Sequence, residues 1–189
     1  MKCFICSLNF KNFPSNYYIS INKYKIYKCK RCRTGFTIPK LSKKDLDTLY
    51  SNNIYRNPKG ERFKNIFQKI FDFINLLKSI KFNSLIDKKS NILDIGCGDG
   101  RILSFLKQKG HNVIGTEYKI KKKSIKKNKK KITIHSNKKA LQGKNKYNLI
   151  ILNHVLPHIE EAEKIIRKIK FSLKSDGIVY ISMPNFSSF

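Results

Sequence analysis

The pattern of apolar and polar positions divides the chain into three parts. In residues 1–44, the segment "NYYISINKYKIYKC" partly alternates apolar and polar side chains and is predicted to form a β-hairpin. Residues 45–87 have helical periodicity interrupted by a polar loop, and residues 88–189 alternate short apolar runs with helical stretches. We therefore expect a small N-terminal module, a helical connector and one larger domain.

The third part contains five predicted strands, at residues 91–95, 112–117, 132–135, 148–153 and 177–183. Helical stretches lie between them, notably at residues 100–109 and 159–174. This alternation predicts an α/β fold, a doubly wound parallel sheet with helices on both faces. Ligands of such sheets bind beyond the carboxyl ends of the strands, near the point where the strand order reverses.

The connector contains two predicted helices. The first follows Ser42, a residue type that caps helix N-termini. The second, "ERFKNIFQKIFDFINLLKSI", has one broad apolar face made by Phe63, Ile66, Phe67, Ile70, Phe71, Ile74, Leu77 and Ile80. We expect that face to pack against the third part of the chain rather than to lie on a membrane surface.

The net charge of +29 on 189 residues is typical of proteins that bind nucleic acid. The basic residues are 35 Lys and only 6 Arg, alongside 27 Ile and 18 Asn, a mixture that codon bias toward A and T also produces. Arg is the residue that reads bases through paired hydrogen bonds. We therefore expect any nucleic-acid binding to be non-specific, and we interpret the lysine-rich run Lys119–Lys131 as a solvated helix rather than an RNA-binding face.

Hydrophobic residues make up 40% of the chain, which is enough for a packed core. No apolar run approaches the roughly 20 residues of a membrane span, and the start "MKCFICSLNF" does not resemble a signal peptide. We expect a cytoplasmic protein with reduced cysteines and no membrane partner.

Four of the five cysteines form two C-x-x-C pairs, Cys3 with Cys6 and Cys29 with Cys32, separated by 22 residues. Two such pairs around a hairpin supply the four thiolates of a tetrahedral zinc site, as in a zinc ribbon. A site closed by four sulfur ligands has a structural role. The alternative is four unrelated buried thiols.

A glycine-rich stretch follows the first predicted strand of the third part and reads Asp94-Ile-Gly96-Cys-Gly98-Asp-Gly100. It departs from the G-x-G-x-x-G pattern of dinucleotide sites and lacks the G-K-[ST] end of a P-loop. The Asp94 carboxylate would repel a pyrophosphate and attract an ammonium group. Glu117, at the end of the next strand, can accept hydrogen bonds from both hydroxyls of a ribose. The predicted ligand therefore has an amino acid at one end and a nucleoside at the other.

These motifs resemble those of the class I S-adenosylmethionine-dependent methyltransferases. "ILDIGCGDG" is similar to their first motif and "VIGTE" to their second, while "YNLIILNHVLPHI" and "FSLKSDGIVYISMPN" resemble their fourth and fifth strands with the intervening helix. More narrowly, "CKRCRTGFTIPKLSKKDLDTLYSNNIY" resembles the bacterial branch that has an N-terminal zinc ribbon and includes sugar C-methyltransferases. The resemblance implies a Rossmann-like core and S-adenosylmethionine as cofactor.

The resemblance also implies roles for individual residues. The implied cofactor-binding residues are Asp94, Gly96, Cys97, Gly98, Gly100, Glu117, Tyr118 and Asn153. Within the loop, we interpret Cys97 as a small filler rather than a nucleophile. The candidate catalytic bases are His158, which stands where the branch has Leu-Glu-His, and His154. A capping or packing role for either histidine remains the alternative.

The sequence departs from the branch in three places. Asn148 replaces the usual Asp at the fourth strand, and Pro157 replaces the Glu of Leu-Glu-His. The chain ends at "MPNFSSF", before the helix and antiparallel strands that follow in the family. Three functions remain open: a methyltransferase acting on a small molecule or sugar, an RNA methyltransferase, or a non-catalytic remnant, which would be either a truncated gene product or one half of a split enzyme whose C-terminal segment belongs to a partner chain.

Overall fold

The computed structural model describes residues 3, 6, 8–9, 19–21, 24–39, 42, 44–45, 66–117, 132–159 and 161–184. Four predicted features lie wholly or mostly outside these residues: the first connector helix after Ser42, Phe63 of the predicted apolar face, the cofactor-binding residue Tyr118 and the lysine-rich run at 119–131. The described residues fall into two compact units, one before Ile54 and one between Tyr55 and Pro184.

The N-terminal unit contains a three-stranded antiparallel sheet. Its strands are β1 (Ile19–Ile21), β2 (Tyr24–Lys28) and β3 (Gly35–Ile38), in that order across the sheet. The β1–β2 pair confirms the predicted hairpin. Tyr27 of β2 and Phe36 of β3 are directly opposite each other, with stacked rings 6.0 Å apart, and form a small core with Cys3 and Cys29.

The second unit is a five-stranded parallel sheet with helices on both faces, which confirms the predicted α/β fold. The strands lie in the order β6-β5-β4-β7-β8. Along the chain the elements are α1 (Ile66–Ser84), β4 (Asn91–Ile95), α2 (Arg101–Gln108), β5 (Asn112–Thr116), β6 (Thr133–His135), α3 (Asn137–Ala140), β7 (Tyr147–Asn153), a 3-10 turn (Leu156–His158), α4 (Ala162–Ser172) and β8 (Leu173–Ser182).

The central strands are buried on both faces, which explains their continuous apolar runs. On one face, Ile92 of β4 packs with Phe82 of α1 and Leu103 of α2. On the other face, Leu93 of β4 packs with Ile169 of α4. Successive side chains of β4 therefore enter opposite cores, as the period of a strand requires.

The last strand begins earlier than predicted, at Leu173 rather than at residue 177. The polar segment after Leu173 favours a turn by composition. In the structure this segment is accommodated by a register shift instead, because Tyr147 pairs with Leu173 whereas Leu149 already pairs with Ile178. The predicted helix is correspondingly shorter and ends at Ser172.

Helix α1 packs on the sheet with the face opposite to the one we expected. Phe82, Asn75 and Ser79 are buried, whereas most of the predicted apolar face is exposed: Phe67, Ile70, Ile74, Leu77 and Ile80. The expected packing of that face was therefore wrong, although the helix does belong to the same compact unit as the sheet. Within the described part of the chain, no helix has the length and apolar content needed to cross a membrane.

Candidate functional site

The strand order reverses next to β4. From β4 the chain continues to β5 and β6 on one side, and then crosses to β7 and β8 on the other. The carboxyl ends of β4, β5 and β7 therefore lie side by side, at Ile95, Thr116 and Asn153. This edge is where open α/β sheets bind ligands.

The loop between β4 and α2 depends on its glycines. Gly96, Gly98 and Gly100 have φ angles of 72°, 59° and 71°, in the left-handed region where side chains are strained. The loop is fixed to the end of β5, because the Cys97 N–H donates to the Thr116 carbonyl over 2.9 Å. The loop backbone is thus tied to the end of β5 in a conformation that favours glycine.

Two close approaches hold the neighbouring segments against this loop. A Cβ at Gly96 would lie 2.5 Å from Cγ2 of Val155, so the segment after β7 packs directly on the loop. A Cβ at Gly115 would lie 2.5 Å from the Cys97 Sγ, which fills the space beside β5. Burial is the main cause that raises the pKa of the Cys97 thiol, and the neighbouring acids Asp94 and Glu117 add to it. The Cys97 thiol is therefore neutral at neutral pH.

The site contains three carboxyl groups, from Asp94, Asp99 and Glu117. Asp94 is buried in β4, and burial, followed by the nearby charges of Glu117 and Asp99, raises its pKa to about 8. The Gly98 N–H donates to Oε2 of Glu117 over 2.8 Å, so the carboxylate at the end of β5 reaches the glycine loop. The structure thus brings together Asp94, Gly96, Gly98 and Glu117 at one edge.

The chemistry of this donor set selects among ligand classes. Clustered carboxyl groups disfavour a pyrophosphate and favour a cationic group beside Asp94. A carboxylate such as Glu117 accepts hydrogen bonds from paired hydroxyls. S-adenosylmethionine has an ammonium, a sulfonium and a ribose, so the residues present fit this cofactor.

Helix α1 adds polar contacts to the site that the sequence analysis missed. Lys78 donates from Nζ to Oδ1 of Asn153 over 3.0 Å, at the end of β7. Arg101, the first residue of α2, forms ion pairs with both Asp72 of α1 and Asp99 of the loop. The sequence signal for these contacts is a polar stripe at helical spacing on the side of α1 away from its apolar face, consisting of Asp72, Asn75 and Ser79 with Lys78 beside it.

The two candidate histidines follow β7 at the same edge. The backbone of His154 has a φ of 57°, and its N–H donates to the Ser182 carbonyl over 2.9 Å. Its Nε2 lies 3.4 Å from the Ser182 hydroxyl oxygen. His158 ends the 3-10 turn, and partial burial lowers its pKa, so its imidazole is neutral at neutral pH. Their catalytic role remains a prediction.

The N-terminal unit contains a separate cluster of four thiols. The Sγ atoms of Cys3, Cys6, Cys29 and Cys32 all lie within 4.8 Å of one another, with Cys3–Cys32 and Cys6–Cys29 separations of 3.6 Å. Zn–S bonds of about 2.3 Å in a tetrahedron place sulfurs about 3.8 Å apart. These separations fit zinc, and they are far longer than a disulfide bond.

The second C-x-x-C turn prepares one of these thiols for a metal. Cys29 and Thr34 close the turn through a backbone hydrogen bond of 2.9 Å, and Arg33 within it has a φ of 59°. Hydrogen bonds with the Thr34 side chain and then from its backbone lower the pKa of Cys32 to about 6. The pKa of Cys6 is raised to about 11: a backbone hydrogen bond from Leu8 lowers it, but burial and hydrogen bonds with the other three thiols outweigh that effect. The four thiols therefore titrate as one cluster, in which Cys32 loses its proton before Cys6 and reaches the thiolate form that binds zinc.

Similarity to known proteins agrees with this geometry. A family model described as a methyltransferase domain matches residues 62–188. A ubiquinone biosynthesis O-methyltransferase from Pelagibacter ubique is 29% identical over 119 residues, which are 59% of this chain and 50% of that protein. The chain thus spans about half the length of the curated relatives it matches.

Solved structures share the fold. A SAM-dependent methyltransferase from Archaeoglobus fulgidus has a TM-score of 0.53 and 20% identity, covering 65% of this chain and 59% of that one. The PH0226 protein from Pyrococcus horikoshii has a TM-score of 0.55 and 18% identity, covering 71% and 62%. Because the family model spans well over half of the 189 residues, the chain belongs to the methyltransferase-domain family, with the fold of the class I S-adenosylmethionine-dependent methyltransferases.

Proposed function

We propose that this protein binds S-adenosylmethionine at the carboxyl edge of its sheet and transfers the methyl group to a small-molecule acceptor. The observation that carries the proposal is the convergence of Asp94, the glycine loop and Glu117 at the point where the strand order reverses. A glycine loop alone is common to many nucleotide sites. The added carboxyl groups are what favour this cofactor over a dinucleotide.

Each residue group has a distinct task in this proposal. Glu117 holds the ribose, Asp94 faces the cationic end of the cofactor, and the glycine loop lets the ligand approach the backbone. When bound, S-adenosylmethionine supplies an electrophilic methyl group that an acceptor lone pair displaces from sulfur. The protein therefore contributes mainly by placing the two reactants in line.

An acceptor that bears a hydroxyl must lose a proton during transfer, and the segment after β7 offers two candidate bases. Val155 packs on Gly96, so this segment lies beside the glycine loop. His158 is neutral at pH 7 because partial burial lowers its pKa, so it can accept a proton. We propose His158 as the base and His154 as the alternative.

The acceptor class is supported by the relatives alone. Their names describe O-methylation in ubiquinone biosynthesis, which favours a hydroxyl on a small aromatic molecule. The zinc-ribbon branch that the N-terminal part resembles favours a sugar instead. A panel of phenolic and catecholic acceptors, set against nucleotide sugars, distinguishes the two.

The test is formation of S-adenosylhomocysteine from S-adenosylmethionine in the presence of each acceptor. We expect turnover with one acceptor class, and a loss of about 10²-fold or more in His158→Gln, with little change in the control Lys168→Gln, which substitutes an exposed side chain on α4. Turnover that is equal in wild type and in Glu117→Ala would contradict the proposed site. Cofactor binding without turnover of any acceptor would leave binding as the function of this chain.

We further propose that Cys3, Cys6, Cys29 and Cys32 bind one structural zinc ion. The compact arrangement of their Sγ atoms and the lowered pKa of Cys32 support this assignment. The unit around them has a very small apolar core, formed with Tyr27 and Phe36. Small units of this kind are commonly stabilised by a metal.

A further inference from the structure

The outward side of helix α1 is an exposed apolar surface. It consists of side chains that are 42–66% exposed, and we call it the α1 apolar face: Phe67, Ile70, Phe73, Ile74, Leu76, Leu77 and Ile80. Single exposed apolar residues are ordinary, whereas a cluster of them along one side of a helix is typical of a surface that binds another apolar surface. Leu85, just beyond the helix, is also exposed.

The orientation of α1 is fixed by contacts on its other side. Phe82 packs edge-to-face on Tyr180 with ring centroids 4.8 Å apart. Asp72 pairs with Arg101, and Lys78 donates to Asn153. Rolling the helix to bury its apolar face would break all of these contacts. The exposed face is therefore a stable feature of the folded unit.

The charges on this side identify the partner. Lys69 and Lys81 are exposed and lie among the apolar side chains, whereas Asp72, the single acid of the helix, faces Arg101. A second copy docked through the same face would bring these lysines together, on chains that each carry a net charge of +29. That repulsion disfavours self-association and favours an anionic surface.

Because the face is exposed rather than packed as the sequence led us to expect, we propose, in place of the expectation of no membrane partner, that the α1 apolar face docks on a bilayer that contains anionic phospholipid, with the helix lying in the interface. The 19 residues of α1 extend about 28 Å along the membrane plane. The Phe, Ile and Leu side chains enter the headgroup boundary, and the lysine stems extend along it so that their ammonium groups reach the lipid phosphates. The opposite face of α1 stays packed on the sheet.

The chain has no tryptophan, which permits a local optical test. Phe73→Trp places a single tryptophan on the α1 apolar face, at a side chain that is 59% exposed. Phe171→Trp is the matched control on α4, at a side chain that is 55% exposed. With vesicles of 30% phosphatidylglycerol in phosphatidylcholine, we expect a blue shift and quenching by brominated lipid only for Phe73→Trp. The same response from both positions would overturn the proposal.

Vesicle sedimentation tests separately how much the apolar side chains and the basic side chains contribute to membrane binding. The double variant Phe67→Gln with Phe73→Gln should reduce the partition coefficient at least about tenfold, while Phe171→Gln leaves it within about twofold. Lys69→Gln with Lys81→Gln should weaken binding more than the charge-matched exposed pair Lys138→Gln with Lys139→Gln. Equal losses from the two lysine pairs would mean non-local attraction and would contradict docking through α1.

Two further outcomes also overturn the proposal. Equal affinity for anionic vesicles and for pure phosphatidylcholine would remove the role of charge. Self-association at micromolar concentration that Phe67→Gln with Phe73→Gln abolishes would identify a second copy as the occupant. All these measurements are made without methyl donor, so they succeed or fail independently of the proposed transfer reaction.

Discussion

Asp94 lies inside β4, where its carboxyl is removed from water and close to two further acids. Burial, then Glu117 and Asp99, raise its pKa from 3.8 to about 8, so the group is mostly protonated at pH 7 when no cation is bound. A cationic ligand would favour the ionised form and release a proton. A charge that is costly in the empty protein thus becomes favourable when the cofactor binds.

This electrostatic arrangement predicts a dependence of stability on pH. The folded protein retains a proton on Asp94 that the unfolded chain releases above pH 4. The stability from this group is fully present below pH 4 and is lost as the pH rises toward 8, at up to about 1.4 kcal/mol per pH unit. The Asp94→Asn variant has no ionisable group at this position, so its folding stability should not show this decrease with rising pH. Urea unfolding of ligand-free protein at pH 5, 6 and 7 measures the difference, and parallel pH dependences for the two proteins would contradict it.

Substitution of Glu117 is expected to affect cofactor binding rather than folding. Glu117→Ala should weaken binding of S-adenosylhomocysteine by about 1–3 kcal/mol, because charged hydrogen bonds to the ribose are lost. Glu163→Ala is the matched control, since Glu163 is exposed on α4 and pairs with Arg167. Titration calorimetry gives both affinities. Equal affinity in the two variants would move the ribose site elsewhere.

At the scale of elements, the loop between β4 and α2 is positioned by its neighbours, and the proposed cofactor contacts its backbone. Gly98→Val should nearly abolish cofactor binding, because a side chain at this φ of 59° is strained and would occupy the space proposed for the ligand beside the backbone. Gly110→Val is the control: its φ of 93° is also left-handed, but a Cβ there meets nothing within 4 Å. Calorimetry on both variants separates the effect of backbone strain from the loss of the cofactor site. A similar loss of cofactor affinity in both variants would argue against a direct role of the glycine loop in binding.

The cluster of four thiols in the N-terminal unit leads us to expect bound zinc. Wild-type protein purified without affinity-tag metals should contain about one zinc per chain, and Cys29→Ser should lose it. Cys97→Ser is the control, because Cys97 lies in the glycine loop outside the thiol cluster. Elemental analysis measures the content. Wild-type protein that lacks zinc and does not take it up when zinc is added would refute the assignment.

Helices and strands could be predicted from the sequence where the apolar residues follow one clear pattern, either a helical period or a short continuous run. β4 matches its predicted bounds, because a buried central strand is a short apolar run between polar turns. Helix α1 was predicted as a helix, but the wrong face was expected to pack, since periodicity identifies an apolar face and not its partner. The Asp72–Arg101 ion pair and the Lys78–Asn153 hydrogen bond join segments distant in sequence, so the local sequence pattern could not reveal them.

In the candidate site, the sequence was informative for the loop and the carboxyl groups and uninformative for their surroundings. Asp94 and Glu117 were identified because each stands at a strand end beside a recognisable motif. The approach of Val155 to Gly96 and the raised pKa of Asp94 depend on three-dimensional packing. The roles of His154 and His158 stay predictions for the same reason.

For the whole molecule, the sheet and the thiol cluster belong to different compact units with separate chemistry. The large positive charge acts on both units and attracts anions over long range, so measurements of specific binding need physiological salt. The residues described at the proposed cofactor site all belong to the larger unit. Binding there can be measured without knowledge of the acceptor.

Titration calorimetry of S-adenosylhomocysteine into the 189-residue chain at physiological salt is the most direct test of the proposed cofactor site. We expect about one molecule bound per chain, competition by S-adenosylmethionine, no competition by NAD, and loss of binding in Gly98→Val. An absence of binding to folded wild-type protein, or displacement of the ligand by NAD, would contradict the assignment of S-adenosylmethionine to this site.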